Sequence, residues 1–304
     1  MAGERSRTLP LVDVTQAAAG PAPFDRIGVV GLGLVGGSVA LACRRQWPGA
    51  LVIGVDANGP LEAASVRYAI DVGADDLGML READLVVLAA PVRENIRVLG
   101  QLAEFLPGDA VVTDVGSTKR ATVEAARCLP ARLPFIGGHP LAGAARTGIA
   151  FASADLFQGR PWFLTPRVEA PEPLARLSAW VGALGAVPLV LDAAAHDRLV
   201  AYVSHLPQLV ASALMRVVGD AVGDEGLRHG GQGLADTTRL AASAGSVWTD
   251  VCWSNADELG RALDLLVAEL QRARDGLAGG DVIAELFDQA ASWRGRIETR
   301  SDEP

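Results

Sequence analysis

Apolar positions fall in short continuous runs through the first two thirds of the chain and at helical spacing in the last third. The runs are Arg26 to Val30, Leu51 to Val55, Leu85 to Ala89, Val111 to Thr113, Phe135-Ile136, Trp162 to Pro166 and Val187 to Leu191. Each is too short for a helix, and most are bounded by Gly, Pro or Asp. Each therefore predicts a strand, and continuous apolar character predicts one buried on both faces. Helical segments lie between most of them, starting with residues 37–46. Strands alternating with helices predict an α/β, doubly wound, mostly parallel sheet. After Asp192 the strand runs stop. Residues 193–219, 231–245 and 255–275 carry apolar residues at helical spacing, so an all-helical second domain is expected from 193 to about 299. Residues 1–23 are Ala/Pro/Thr-rich with Asp13 among them, and are expected to form a disordered tail; 300–304 read as a polar tail. Residues 1–23 lack the apolar core of a secretion signal, and no apolar run reaches membrane-spanning length.

Composition narrows the partners. The chain has 304 residues, half of them hydrophobic, and a net charge of −9. That balance argues against nucleic acid or an anionic membrane as the main partner, and leaves any anionic substrate to local cations. Lys119 is the single lysine among the 27 basic residues. Cys43, Cys128 and Cys252 are far apart with no CxxC pair, so neither a disulfide framework nor a zinc knuckle is expected. A small-molecule site without metal in a reducing, cytoplasmic setting fits.

Gly31, Gly33 and Gly36 form GxGxxG between the first run and the first helix, with Leu34 and Val35 inside the turn. In that context the first glycine permits the tight turn and the second admits a pyrophosphate. The third allows helix and strand to touch, and the helix N-terminus faces the phosphates. Asp56 ends the next run twenty residues after Gly36. A carboxylate there can accept a ribose 2′-hydroxyl and would repel a 2′-phosphate, which favours NAD over NADP. Residues 24–192 are therefore expected to form a Rossmann-type dinucleotide-binding domain. Ala90 and Pro91, after the third run, either cover the cofactor's ribose or simply terminate a strand.

Other polar residues sit at run ends, where ligands of such sheets bind. Ser117, in Asp114-Val115-Gly116-Ser117-Thr118-Lys119, could bond a substrate hydroxyl or cap a helix. His139, in Gly137-Gly138-His139-Pro140, reads as a histidine presented on a flexible glycine loop, suited to proton transfer near neutral pH. His205, in Ser204-His205-Leu206-Pro207, lies in a helix kinked by proline and is either a core or a site residue. Arg239, in an Ala-rich helical stretch, is either a surface residue or a fork for a carboxylate. His196 reads as a helix-start residue beside Asp197, and His229 as a loop residue.

Taken in order, these segments resemble the prephenate/arogenate dehydrogenase family of tyrosine biosynthesis. The matching segments are GLGLVGGS at 31–38, DVGSTK at 114–119, GGHPLAG at 137–143, WFLTP at 162–166, HD at 196–197, SHLP at 204–207 and DTTRLAAS at 236–243. Trp248 and Asn255 also fit, and the likeness runs from about residue 26 to 297. The resemblance implies a dinucleotide domain followed by a helical domain that forms a homodimer. It implies NAD(P)-dependent oxidative decarboxylation of prephenate to 4-hydroxyphenylpyruvate and CO2, or of arogenate to tyrosine. It implies His139 as the catalytic histidine and Ser117 as its hydroxyl-binding partner. His205, with Ser204 beside it, and Arg239 would bind substrate. One departure is Ala145, followed by Arg146, where many relatives carry an acid; this tilts the expectation toward prephenate, whose side chain has no amine. β-Hydroxyacid dehydrogenases, which by resemblance need a lysine in their helical domain, are disfavoured because no lysine follows residue 119. An arogenate or cyclohexadienyl dehydrogenase, an enzyme of an amino-substituted prephenate and a non-catalytic NAD-binding module remain as alternatives.

Overall fold

The computed structural model describes residues 12–13, 21–143, 147–167 and 170–298. Nine strands follow in chain order: β1 (Val12–Asp13), β2 (Arg26–Val30), β3 (Leu51–Val55), β4 (Val72–Ala74), β5 (Leu85–Leu88), β6 (Val111–Asp114), β7 (Phe135–Pro140), β8 (Pro161–Pro166) and β9 (Val187–Val190). They form one sheet in the order β1-β9-β8-β7-β6-β5-β2-β3-β4. Pairing is parallel except between β7 and β8 and between β1 and β9. The chain winds outward from β2 to β4 and then returns to the other side of β2 with β5. The reversal leaves a crevice beyond the carboxyl ends of β2 and β5, where such sheets take ligands.

Alternation along the strands feeds two apolar layers. In β5, Leu85 and Val87 join the layer of Ile27, Val29, Val39 and Cys43, while Val86 and Leu88 join that of Val30, Val98, Leu99 and Leu102. Both faces are covered because successive side chains point oppositely and a helix packs on each side. The helix Leu34–Gln46 buries Val39, Ala40, Ala42 and Cys43. The helix Val92–Phe105 buries Asn95, Val98, Leu99 and Leu102, a spacing that marks one helical stripe.

Besides the short strand β4, which no apolar run announced, three features differ from the sequence reading. Within the stretch expected as a disordered tail, Val12–Asp13 pairs antiparallel with Leu189 and Val190. His139 is not on a flexible loop. Strand β7 continues through it to Pro140, and His139 pairs with Phe163 of β8. Gly-Gly-His-Pro has little intrinsic strand preference, so it is the partner strand that holds it extended. The third is the helical part, which is more broken than its spacing implied. Helix Ala193–Val200 runs into a π-helical turn, Ala201–His205, and then into helix Leu206–Leu227. Residues 231–245 divide into helix Gln232–Thr238 and a 3-10 turn, Arg239–Ala242; helix Gly245–Ser254 follows.

By compactness the chain divides into Met1–Ala256 and Asp257–Pro304. The second unit holds most of helix Ala256–Gly276 and all of helix Asp281–Glu298. Gly280, at φ +81°, turns the chain between them, and Arg272 pairs with Glu285 across the turn. Among the described residues, no helix is long and apolar enough to cross a membrane.

Candidate active site

The glycine turn has the geometry its spacing implied. Gly31 has φ +95°, a conformation that L side chains rarely adopt. A Cβ on Gly36 would fall 1.9 Å from the Gly31 carbonyl oxygen, so helix and turn touch there. A Cβ on Gly33 would meet nothing within 4 Å, and no side chain caps the following helix. Open space in front of uncapped amides is what a diphosphate requires. Leu34 and Val35 form the first turn of that helix. Asp56 stands beside the turn: its carboxylate accepts the Leu32 N–H at 2.6 Å and the Ala57 N–H at 2.7 Å. A Cβ on Gly31 would lie 2.7 Å from the Ala90 nitrogen, so Ala90 closes directly on the turn. Pro91 starts helix Val92–Phe105, and Asn95 accepts the Ala90 N–H at 3.1 Å. These residues fit a dinucleotide.

Beyond β6 and β7 lies a buried ion pair that the sequence reading did not identify. Lys119 and Asp114 are fully buried and bonded to each other. Asp114 accepts the Gly116 N–H and the Gly138 N–H, each at 3.0 Å. Lys119 donates to the Gly138 carbonyl at 2.6 Å. The pair thus clasps both backbone groups of Gly138, one residue before His139, and holds Gly116, one residue before Ser117. Ser117 and His139 are placed by the same carboxylate. A Cβ on Gly138 would fall 2.4 Å from the Asp114 carbonyl oxygen, so this glycine is required by close approach.

His139 is 6% exposed and heads a chain of buried polar groups. Its Nδ1 is 2.8 Å from Nε2 of His196, and Nδ1 of His196 is 2.8 Å from Asp197 Oδ1. Asp197 also accepts the Lys119 and Arg120 N–H groups at 2.7 and 2.9 Å, and the Arg120 Nε–H at 3.2 Å. Burial opposes its charge, but the hydrogen bonds from His196, Arg120 and Lys119 outweigh burial and hold its pKa below the ordinary value. Burial above all, with the neighbouring His196, Lys119 and His205, drives the pKa of His139 well below 6.5. His196 is lowered mainly by burial, partly opposed by Asp197. Phe163 lies edge-on to His196, with ring centroids 5.4 Å apart, and 6.4 Å from the ring of His139.

The helical segment brings a second histidine to the same network. His205 ends the π-helical turn and is fully buried. Asn255 bonds three ways: Oδ1 accepts from Arg120 at 2.9 Å, while Nδ2 donates to the Asp197 carbonyl at 2.8 Å and to His205 Nδ1 at 3.3 Å. Nε2 of His205 is buried without a hydrogen-bond partner, and burial lowers the pKa of the ring to about 4. π-Helical turns are frequent at functional sites, and a buried polar atom without a partner is rare. Trp248 packs edge-on against it with ring centroids 6.0 Å apart, and Ser204 beside it is half-buried.

The remaining expectations are placed less tightly. Arg239 is exposed at the start of the 3-10 turn, whose Leu240 carbonyl accepts from Gln208 at 2.7 Å, three residues after His205. The structure brings it near the His205 helix but into no hydrogen bond with His139, Ser117 or His205. His229 is exposed in a turn. Ala145 and Arg146 lie outside the described residues. His196 does lie in a first helical turn, as its position implied, but it is fully buried and bonded to His139, which spacing could not reveal. The available signal was that a His-Asp pair followed an Asp N-cap instead of facing solvent; Asp192 caps this helix, leaving Asp197 for other work.

A dinucleotide turn after β2, a buried histidine near the end of β7 in the same sheet and a helical segment carrying further polar groups define the class of two-part dehydrogenases. Known proteins narrow it. The family described as "Prephenate dehydrogenase, nucleotide-binding domain" matches residues 39–189, and "Prephenate dehydrogenase, dimerization domain" matches 192–288. The chain belongs to the prephenate dehydrogenase family. It is 32% identical to the prephenate dehydrogenase of Bacillus subtilis over 91% of this chain and 77% of that one. It is 31% identical to the cyclohexadienyl dehydrogenase of Zymomonas mobilis over 92% and 98%. The crystal structure of A. aeolicus prephenate dehydrogenase in complex with hydroxyphenyl propionate and NAD+ superposes with a TM-score of 0.83 at 28% identity, over 90% of this chain and 98% of that one.

Proposed function

We propose that this chain is an NAD-dependent prephenate dehydrogenase, which oxidatively decarboxylates prephenate to 4-hydroxyphenylpyruvate and CO2 in tyrosine biosynthesis. The observation that carries the reading is His139: a buried imidazole near the carboxyl end of β7, one residue after the Gly138 that Asp114 and Lys119 clasp, with Asp114 also holding Gly116 next to Ser117. Oxidation of the ring alcohol requires a base at the hydroxyl, and a positioned base contributes about 10²–10⁴-fold. His139 takes that proton, and Ser117 bonds the same oxygen. Loss of CO2 from the oxidised ring yields an aromatic product, which makes the step effectively irreversible.

Gly31, Gly33, Leu34, Val35, Gly36, Asp56, Ala90 and Pro91 would hold the dinucleotide. When bound, its nicotinamide supplies the hydride acceptor. Asp56 would accept the ribose 2′-hydroxyl and disfavour a 2′-phosphate. His205 and Ser204 would bond substrate oxygens, with Arg239 serving a substrate carboxylate. A homodimer through the helical region from residue 193 fits the matched dimerization domain and the exposure of Leu270, Phe287 and Trp293 in the single chain. A cytoplasmic location accords with this biosynthetic role.

The relatives named for arogenate and cyclohexadienyl substrates motivate a second reading, in which arogenate is also used; the arogenate dehydrogenase of Synechocystis is 32% identical, with a TM-score of 0.75 over 90% of this chain and 99% of that one. Initial rates with prephenate and arogenate, each with NAD and with NADP, separate these readings. Turnover of prephenate with NAD, and little with NADP, is expected. Turnover of arogenate alone would replace the substrate; no turnover by protein that binds NAD would overturn the enzymatic reading.

A further inference from the structure

The polar chain around the two site histidines fixes more than their position. Asp197 is charged and can only accept, so Nδ1 of His196 carries the proton between them at 2.8 Å. A neutral His196 then has a bare Nε2, which must accept at 2.8 Å from Nδ1–H of His139. Nε2 of His139 is left as a lone pair, and it makes no hydrogen bond among the described residues. His205 has the opposite arrangement. Arg120 can only donate, so the oxygen of the Asn255 amide faces it and the NH2 group faces the Asp197 carbonyl and His205 Nδ1. Nδ1 of His205 therefore accepts, and the proton lies on Nε2, the atom buried without a partner.

Resting on the reading of His139 as the base, we propose that Asp197, His196 and Asn255 are positioning residues that lock the two histidines in opposite tautomers. His139 is held with its proton on Nδ1 and accepts at Nε2. His205 is held with its proton on Nε2 and donates there to a substrate oxygen. One carboxylate and one amide thereby assign the acceptor and the donor, and they do so before substrate arrives. Asp197 anchors both branches, since its side chain orders His196 and its carbonyl orders Asn255.

Long-range 15N–1H correlation on the full chain labelled with 15N-histidine reads the tautomers directly. The chain has four histidines, so single His→Gln substitutions assign the signals. The expected spectrum has His139 protonated at Nδ1 and His205 at Nε2; both rings in one tautomer, or the two reversed, would overturn the proposal. A second measurement compares His196→Gln with His196→Leu. Glutamine keeps an oxygen that can accept from Nδ1–H, whereas leucine cannot. The leucine variant is expected to lose about 10²–10⁴-fold in kcat, as for a wrongly presented base, with its substrate KM and melting temperature close to those of the glutamine variant, which retains most of the rate. Equal losses in both variants would make His196 merely structural and overturn the proposal. These outcomes are separable from the functional reading: a wrong tautomer in an enzyme that turns over prephenate removes the lock alone, and the expected tautomers in a protein without turnover remove the reaction.

Discussion

Burial, which usually costs a polar side chain its place, is what suits His139 to accept a proton. Lacking solvent and surrounded by His196, Lys119 and His205, it stays neutral well below pH 6.5. A base must be unprotonated to act, so a lowered pKa moves the acid limb of kcat/KM to lower pH. The rate is expected to hold as pH falls through 6.5 and to decline only below it; a pH–rate profile with its acid limb at or above 6.5 would contradict this. Replacing His139 by Asn is expected to lower kcat by about 10²–10⁴-fold with little change in NAD affinity, measured by steady-state rates and NAD titration. Arg239→Ala is expected to raise the substrate KM more than it lowers kcat, since an exposed guanidinium serves binding; an unchanged KM would remove it from the site. Neutralising Asp56 as Asn is expected to narrow the preference for NAD over NADP, read from the ratio of kcat/KM values.

Strands and turns explain why part of this site could be read from sequence and part could not. Most strand runs, the glycine turn and Asp56 are local patterns, and the structure has them within a residue or so of where spacing puts them. Strand β7 was only half legible. Phe135-Ile136 announces itself, whereas Gly137 to Pro140 is extended because β8 pairs with it. The Lys119–Asp114 clasp joins residues 5 positions apart and the His139–His196 bond residues 57 apart, and no periodicity encodes such meetings. Besides the His-Asp pair, the hint was compositional: a chain with a single lysine places it, fully buried, beside the site. Replacing Lys119 by Met would leave Asp114 as an uncompensated buried charge, a loss of about 3–5 kcal/mol in unfolding free energy by denaturant titration. Asp114→Asn with Lys119→Met together should recover part of that loss, because no lone charge remains.

At the scale of the molecule, three histidines held neutral couple folding to pH. Each has a folded pKa below its ordinary value of 6.5, about 4 for His205. The unfolded chain therefore binds more protons than the folded one as pH drops below 6.5. Their stabilising effect is complete above 6.5 and is lost as pH falls through that value toward the folded pKa values. Melting temperature is expected to fall across this window, and a His205→Gln variant should fall less steeply between pH 6.5 and about 4. The buried network that costs acid stability is the one that holds the proposed base, so site and fold would share one weakness. The most direct test of the account is the stoichiometry of the reaction with prephenate and NAD. One CO2 and one NADH are expected for each prephenate consumed by the wild-type protein, with loss of both together in His139→Asn. Undiminished release of both by His139→Asn, or NADH formed without CO2, would contradict it.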